Sequence, residues 1–142
     1  YLDLGRAKIK YLPNSLCSLY KLQTLKLKGC DELSILPRGM SNLINLHYLE
    51  AKPKLVSDIV RIGKLNYLQN LEVFSVSEEN KNKLGDLKNM NELRGKLCIK
   101  NLHVVGTREE AIEARLRNKC HLEILKLKWA ADRDVDQVDN QL

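Results

Sequence analysis

Four cysteines and three histidines are the residues in this chain best suited to nucleophilic or metal chemistry, and their spacing supports neither. Cys120 and His121 are adjacent. A nucleophile and its base must instead be brought together by the fold, with a third group orienting the base, and neighbours in an extended segment point apart. Cys98, His103, Cys120 and His121 offer sulfur and imidazole donors, but they lack the short paired intervals of structural zinc sites. No H-E-x-x-H, G-x-S-x-G or G-x-x-x-x-G-K-[ST] run occurs. No catalytic or metal-ligating residue is assigned, and neither an enzymatic activity nor a small-molecule substrate is expected. The cysteines are widely spaced, with no C-x-x-C pair, and no N-x-[ST] acceptor is present. That pattern indicates a reducing compartment rather than a disulfide-stapled secreted domain.

Charge is the next chemistry available. The net charge is +6, but residues 132–142 hold four Asp and one Arg, leaving +9 on residues 1–131. A basic body attracts acidic proteins, nucleic acid or anionic lipid, and charge alone does not choose among them. No apolar run reaches the roughly 18–20 residues of a membrane span. The chain starts at Tyr1 without an initiator Met and reads as a fragment of a longer array.

The elements that must carry these charges follow from a repeat. Ile9, Leu12, Pro13, Leu16, Leu19, Leu22, Leu25 and Leu27 recur 24 residues on as Leu33, Leu36, Pro37, Met40, Leu43, Leu46, Leu49 and Ala51. Leu65, Leu68, Leu71 and Val73 continue the frame at a spacing of 22. Leu22, Leu25 and Leu27 give L-x-x-L-x-L with Cys30 in the following polar slot, which is the leucine-rich-repeat signature at its usual period. Each unit supplies a short strand and a return, and one unit cannot bury its leucines without neighbours. The predicted fold is a right-handed α/β solenoid of about six repeats, with a parallel sheet on the concave face and loops or short helices on the convex one.

Strands are expected over residues 1–5, 22–28, 46–52, 68–74, 93–100 and 122–128. Residues 77–83 (SEENKNK) read as an exposed loop. Thr107 and Glu110 form a capping box ahead of a helix, to which Glu113 and Arg117 add an i,i+4 pair. The repeat array is assigned to residues 1–131, and 132–142 are expected to be an acidic, disordered tail or a truncated insertion. Cys30 is expected to serve loop backbone, and Trp129 to pack at the end of the last strand.

Alternation of side chains puts Leu25 and Leu27 inward and Thr24, Lys26 and Lys28 outward. Corresponding outward triplets are Tyr48, Glu50, Lys52; Asn70, Glu72, Phe74; Lys96, Cys98, Lys100; and Ile124, Lys126, Lys128. Tyr1, Asp3 and Gly5 begin the series. Lys28, Lys52, Lys100 and Lys128 then share a column, with parts of it inside the ~8 Å screening length. Two readings stay open: a solvated face that keeps the sheet unpaired, and a docking surface for an acidic partner. On the second reading the partner-binding residues are Lys26, Lys28, Tyr48, Glu50, Lys52, Asn70, Glu72, Lys100, Lys126 and Lys128. The face measures very roughly 300–400 Å², against about 800 Å² per partner in a stable interface. It is expected to act as part of a longer surface.

The chain resembles the repeat region of plant intracellular nucleotide-binding leucine-rich-repeat (NLR) disease-resistance proteins of the coiled-coil class. The resemblance lies in the return IKYLPNSLCSLYKL and its counterpart at 33–46, and in LGDLKNMNELRGKLCIKNLHVV followed by EEAIEARLRNKCHLEILKLKW. It implies a non-catalytic, cytoplasmic module of protein recognition and autoregulation in pathogen defence. Its partner would be a pathogen effector or the receptor's own nucleotide-binding domain. The resemblance implies no cofactor here, since ADP or ATP would bind an upstream domain. The alternative is a cytoplasmic leucine-rich-repeat scaffold without a nucleotide module. A nucleic-acid partner is not the expectation; weak, salt-sensitive binding of nucleic acid or phospholipid by the lysine column is a second alternative. One departure is that residues 49–65 (LEAKPKLVSDIVRIGKL) lack the L-P pair, so that return is irregular.

Overall fold

Leucine at two-residue spacing in short β-prone runs produces strands that bury one side. The computed structural model describes residues 1–129 and contains six of them: β1 (Leu2–Asp3), β2 (Thr24–Lys26), β3 (Tyr48–Glu50), β4 (Val73–Ser75), β5 (Gly95–Lys100) and β6 (Leu122–Leu127). All pairings among them are parallel, and β1-β2-β3 form one sheet while β4-β5-β6 form a second. Leu25 stands beside Leu49, and Leu97 beside Leu125. All four leucines are buried, in one apolar core shared by successive coils.

The returns are 3-10 turns. Pro13 and Pro37 precede the turns Asn14–Ser18 and Arg38–Asn42, where a fixed φ suits the entry and the missing N–H leaves no donor unmet. Ile62–Lys64, Leu84–Asn89 and Leu116–Asn118 are the later counterparts. Each is closed by the amide of the next residue (Leu19, Leu43, Leu65, Met90 or Lys119) donating to the carbonyl three residues back. Gly63 allows two returns to touch: a Cβ there would lie 2.6 Å from Cβ of Asp86.

The third return, without its L-P pair, begins with an α-helical turn, α1 (Pro53–Ser57), ahead of the 3-10 turn Ile62–Lys64, with Pro53 in the first position, where proline costs no helical hydrogen bond. Residues 77–83 form a turn that is largely exposed, as expected, but closed and with one buried member. Ser77 and Asn82 pair as an antiparallel bridge, and Asn82 is buried. Its carboxamide oxygen accepts from the Ile62 amide (3.0 Å) and its nitrogen donates to the Ile59 carbonyl (2.8 Å). Asparagine here pins the insertion to the preceding coil.

Thr107 caps α2 (Arg108–Glu113), its hydroxyl accepting from the Glu110 amide at 3.2 Å. The pairing of Glu113 with Arg117 does not form. Arg115 adopts a left-handed backbone (φ 52°) that ends the helix, so residues 113 and 117 no longer share a helical face. Glu113 instead reaches Lys88 of the preceding coil at 3.3 Å. No helix among the described residues is long and apolar enough to cross a membrane. The expected acidic segment 132–142 lies outside the described residues.

Candidate functional site: the exposed strand face

The sheets' outer faces are where the array presents side chains without its own core on the far side. On the first sheet, Asp3, Lys26 and Glu50 lie side by side across β1, β2 and β3. Lys26 Nζ sits 5.5 Å from the centre of the Tyr1 ring. Its pKa is raised, first by hydrogen bonding and charge interaction with Tyr1, and further by Asp3 and Glu50. The Tyr48 hydroxyl donates to Glu50 Oε2 at 3.2 Å, and burial followed by this bond raises the Tyr48 pKa. This half is a compensated polar cluster.

Lys28 is exposed, and its carbonyl accepts from the Arg6 amide. Lys52 extends its ammonium to the Asp31 carbonyl at 2.9 Å. Lys100 stands beside Ser75, and Lys126 beside Cys98. Lys128 lies one residue beyond the Leu127–Ile99 pair. Ser75 and the break between the two sheets therefore separate Lys28 and Lys52 from Lys100 and Lys128, so the lysine column is two pairs. Glu72 is exposed, just ahead of β4.

Two residues of the fourth coil correct the predicted register. Phe74, expected outward, is buried beside Ile99, while Val73 and Ser75 take the outward places. Leu71 is buried too. Three residues separate it from Phe74, so the alternation slips by one between them. The VFSV run carries this signal, since Phe74 and Val76 share a face with Ser75 opposite. Asn70, expected to point out toward a partner, turns its carboxamide onto Leu49. It accepts from the Leu49 amide (3.0 Å) and donates to the Leu49 carbonyl (2.6 Å). A side chain thus replaces strand pairing where the sheet is interrupted.

Cys30 Sγ donates to the Leu4 carbonyl at 3.0 Å, the backbone service expected of that slot. Asn101 does the same for Val76 at 3.4 Å, three coils further along. All four cysteines are unpaired thiols, and no three His, Cys, Asp or Glu side chains among the described residues gather as a metal site. Trp129 is 43% exposed. Its inner side borders a small cavity of about 170 Å³ with Ile99, Leu102 and Leu127.

Lys119 escaped sequence reasoning. It is only 4% exposed and occupies the turn-closing position held earlier by Leu19, Leu43, Leu65 and Met90. Its ammonium donates to the Leu87 carbonyl and, at 3.0 Å, to the Met90 carbonyl. Burial lowers its pKa to about 8. The signal was available, because Lys119 precedes Leu122 by the three residues that separate Leu19 from Leu22.

A chain of stacked parallel strands, 3-10 returns and a shared leucine core is a leucine-rich-repeat protein. It belongs to the leucine-rich repeat region family, whose model matches residues 1–141. Over 130 residues, 91% of the chain, it is 42% identical to an Arabidopsis thaliana protein named for disease resistance, of which it covers 9%. A similarly named protein from Solanum bulbocastanum is 42% identical over 78 residues, 55% of this chain and 8% of that one. The chain thus spans less than a tenth of the length of these curated relatives. A leucine-rich-repeat protein of Leptospira interrogans aligns with a TM-score of 0.43 at 18% identity, over 89% of this chain and 42% of that one.

Proposed function

We propose that the chain is the recognition and autoregulatory section of a plant immune receptor acting in the cytoplasm. The observation that carries this reading is 42% identity, sustained over 130 residues, with a protein named for disease resistance. A strand face that no other described element covers supports it by giving such a section a surface to use. The role is non-catalytic. The partner is a protein, either a pathogen effector or the receptor's own nucleotide-binding domain, and nucleotide binds upstream rather than here. A ligand moves such a switch only by binding its two states differently, and the face supplies that difference.

Reading the gene upstream of Tyr1 tests the assignment. A G-x-x-x-x-G-K-[ST] phosphate loop in the same frame supports the receptor. An open reading frame without one overturns it in favour of a signalling scaffold.

A further inference from the structure

An open cleft of about 890 Å³ runs along the third and fourth returns, bordered by the turn over residues 77–83. None of the ten residues assigned to the strand face lines it. Its volume falls within the roughly 300–1,000 Å³ of sites that hold small molecules. Cations outnumber carboxylates along it: Arg61, Lys64, Lys81, Lys83 and Lys88 stand against Glu78, Asp86 and Glu110. Two of the carboxylates are engaged with main chain. Asp86 accepts from the Lys83 amide at 3.0 Å, and Glu110 from the Gly106 amide at 3.4 Å. Lys88 is held by Glu113 at 3.3 Å. Arg61, Lys64, Lys81 and Lys83 are exposed and form no ion pair among the described residues.

The backbone under these groups is fixed. The Arg61 amide donates to the Asn80 carbonyl at 2.9 Å, which brings Arg61 beside the turn that carries Lys81. Ser77 and Asn82 exchange two main-chain bonds of 2.9 Å, and buried Asn82 ties the turn to Ile59 and Ile62. Arg61 and Lys81 both have left-handed backbone, with φ of 54° and 55°, a conformation that glycine adopts with less strain. The turn requires that conformation at both places, but it does not require a cation at either.

We propose that the cleft is a binding site for a small molecule bearing two or more phosphate groups, separate from the strand face and independent of its role. A guanidinium meets phosphate oxygens bidentately, and lysine ammonium groups act as point charges that compensate the remainder. Arg61 and Lys81 would take one phosphate. Lys64 follows Gly63, whose backbone packs against Asp86, and Lys83 is bonded to that same aspartate, so both stand near a second phosphate position. Exposed Ile44 and Val104 also line the cleft and give an organic body an apolar wall.

The test is an NMR titration of the 142-residue chain with pyrophosphate, and with citrate as a carboxylate probe of similar charge. Pyrophosphate should shift the amides of Arg61, Lys81 and Lys83 saturably, with a Kd of about 1 mM or tighter, and leave those of Lys26 and Lys28 in place. Citrate should bind at least about fivefold more weakly. Arg61→Gly and Lys81→Gly keep the left-handed backbone without strain, so each should leave the thermal midpoint unchanged or higher while weakening pyrophosphate about fivefold or more. Lys26→Gln, on the strand face, should leave the affinity unchanged. Equal affinity for citrate, shifts spread evenly over the lysines of the whole chain, or an absence of saturation overturns the proposal. So does a pyrophosphate affinity that survives both glycine substitutions. None of these results bears on the immune-receptor reading, which the sequence upstream of Tyr1 decides.

Discussion

Lys119 shows how one residue can depart from a repeat and still be held by it. A lysine in a leucine position loses water, and its ammonium finds the Leu87 and Met90 carbonyls at the end of the preceding return instead. Because its folded pKa is about 8, below the ~10.4 of an unfolded lysine, the unfolded chain binds more protons between those values. Its contribution to stability therefore rises with pH from ~8 toward ~10, by roughly 1–3 kcal/mol. Lys119→Met should remove that slope, read as the difference in unfolding midpoints between the two proteins at pH 7.5 and 9.5. Parallel pH dependences would contradict the buried assignment. Truncation in the core is a simpler test at this scale. Leu25→Ala or Leu49→Ala should each cost about 2–5 kcal/mol through the cavity left behind, whereas Ile44→Ala, at a 49% exposed site, should change the midpoint little.

At the scale of elements, the fourth coil decides the register and joins the two sheets. Phe74→Ala should destabilise by about 3–5 kcal/mol, and Val73→Ala by much less. The reverse order would restore the register expected from L-x-x-L-x-L. Asn70→Ala removes both hydrogen bonds to Leu49, and hydrogen exchange of the Leu49 amide should then quicken well beyond that of Leu25. Unchanged protection would mean that the two sheets are joined some other way. Strand positions were legible wherever the 24-residue frame held, because burial of one side at a spacing of two leaves little choice of register. The frame failed where the chain departs from it. Without an L-P pair to begin the third return, α1 took its place, and the following strand moved by one residue. Asn82 and Asn70 were not legible as structural groups, since an asparagine that replaces main-chain partners has the same sequence appearance as one facing water. Of the capping box only the Thr107 half forms, since the Glu110 carboxylate accepts from the Gly106 amide instead. The helix stops at Glu113, ahead of Arg115, a left-handed residue that no local propensity announces.

For the whole molecule, stacking leaves two coil ends whose apolar surfaces have no further coil among the described residues. Leu2 and Leu4 are only half-buried, while their counterparts Leu25 and Leu27 are sealed. At the other end Trp129 remains 43% exposed. End coils without polar caps make a solenoid poorly soluble, so the isolated chain should associate with increasing concentration by light scattering. A stable monomer at high concentration would contradict this. The candidate face was legible only in outline, since Asn70, one of its ten proposed residues, turns onto Leu49, and the separation of its lysines into two groups was not legible. That separation depends on which strands pair, and the break between β3 and β4 is a property of the assembled coils.

The most direct test of the account is a methyl and aromatic NOE experiment on the folded chain. Leu25 methyls should contact those of Leu49, and the Phe74 ring should contact Ile99, while Lys26, Tyr48 and Lys100 show no contact with these core groups. If Leu25 and Leu49 lack a cross-peak, or Val73 takes the place of Phe74 beside Ile99, the shared core and the face it leaves exposed are both wrong.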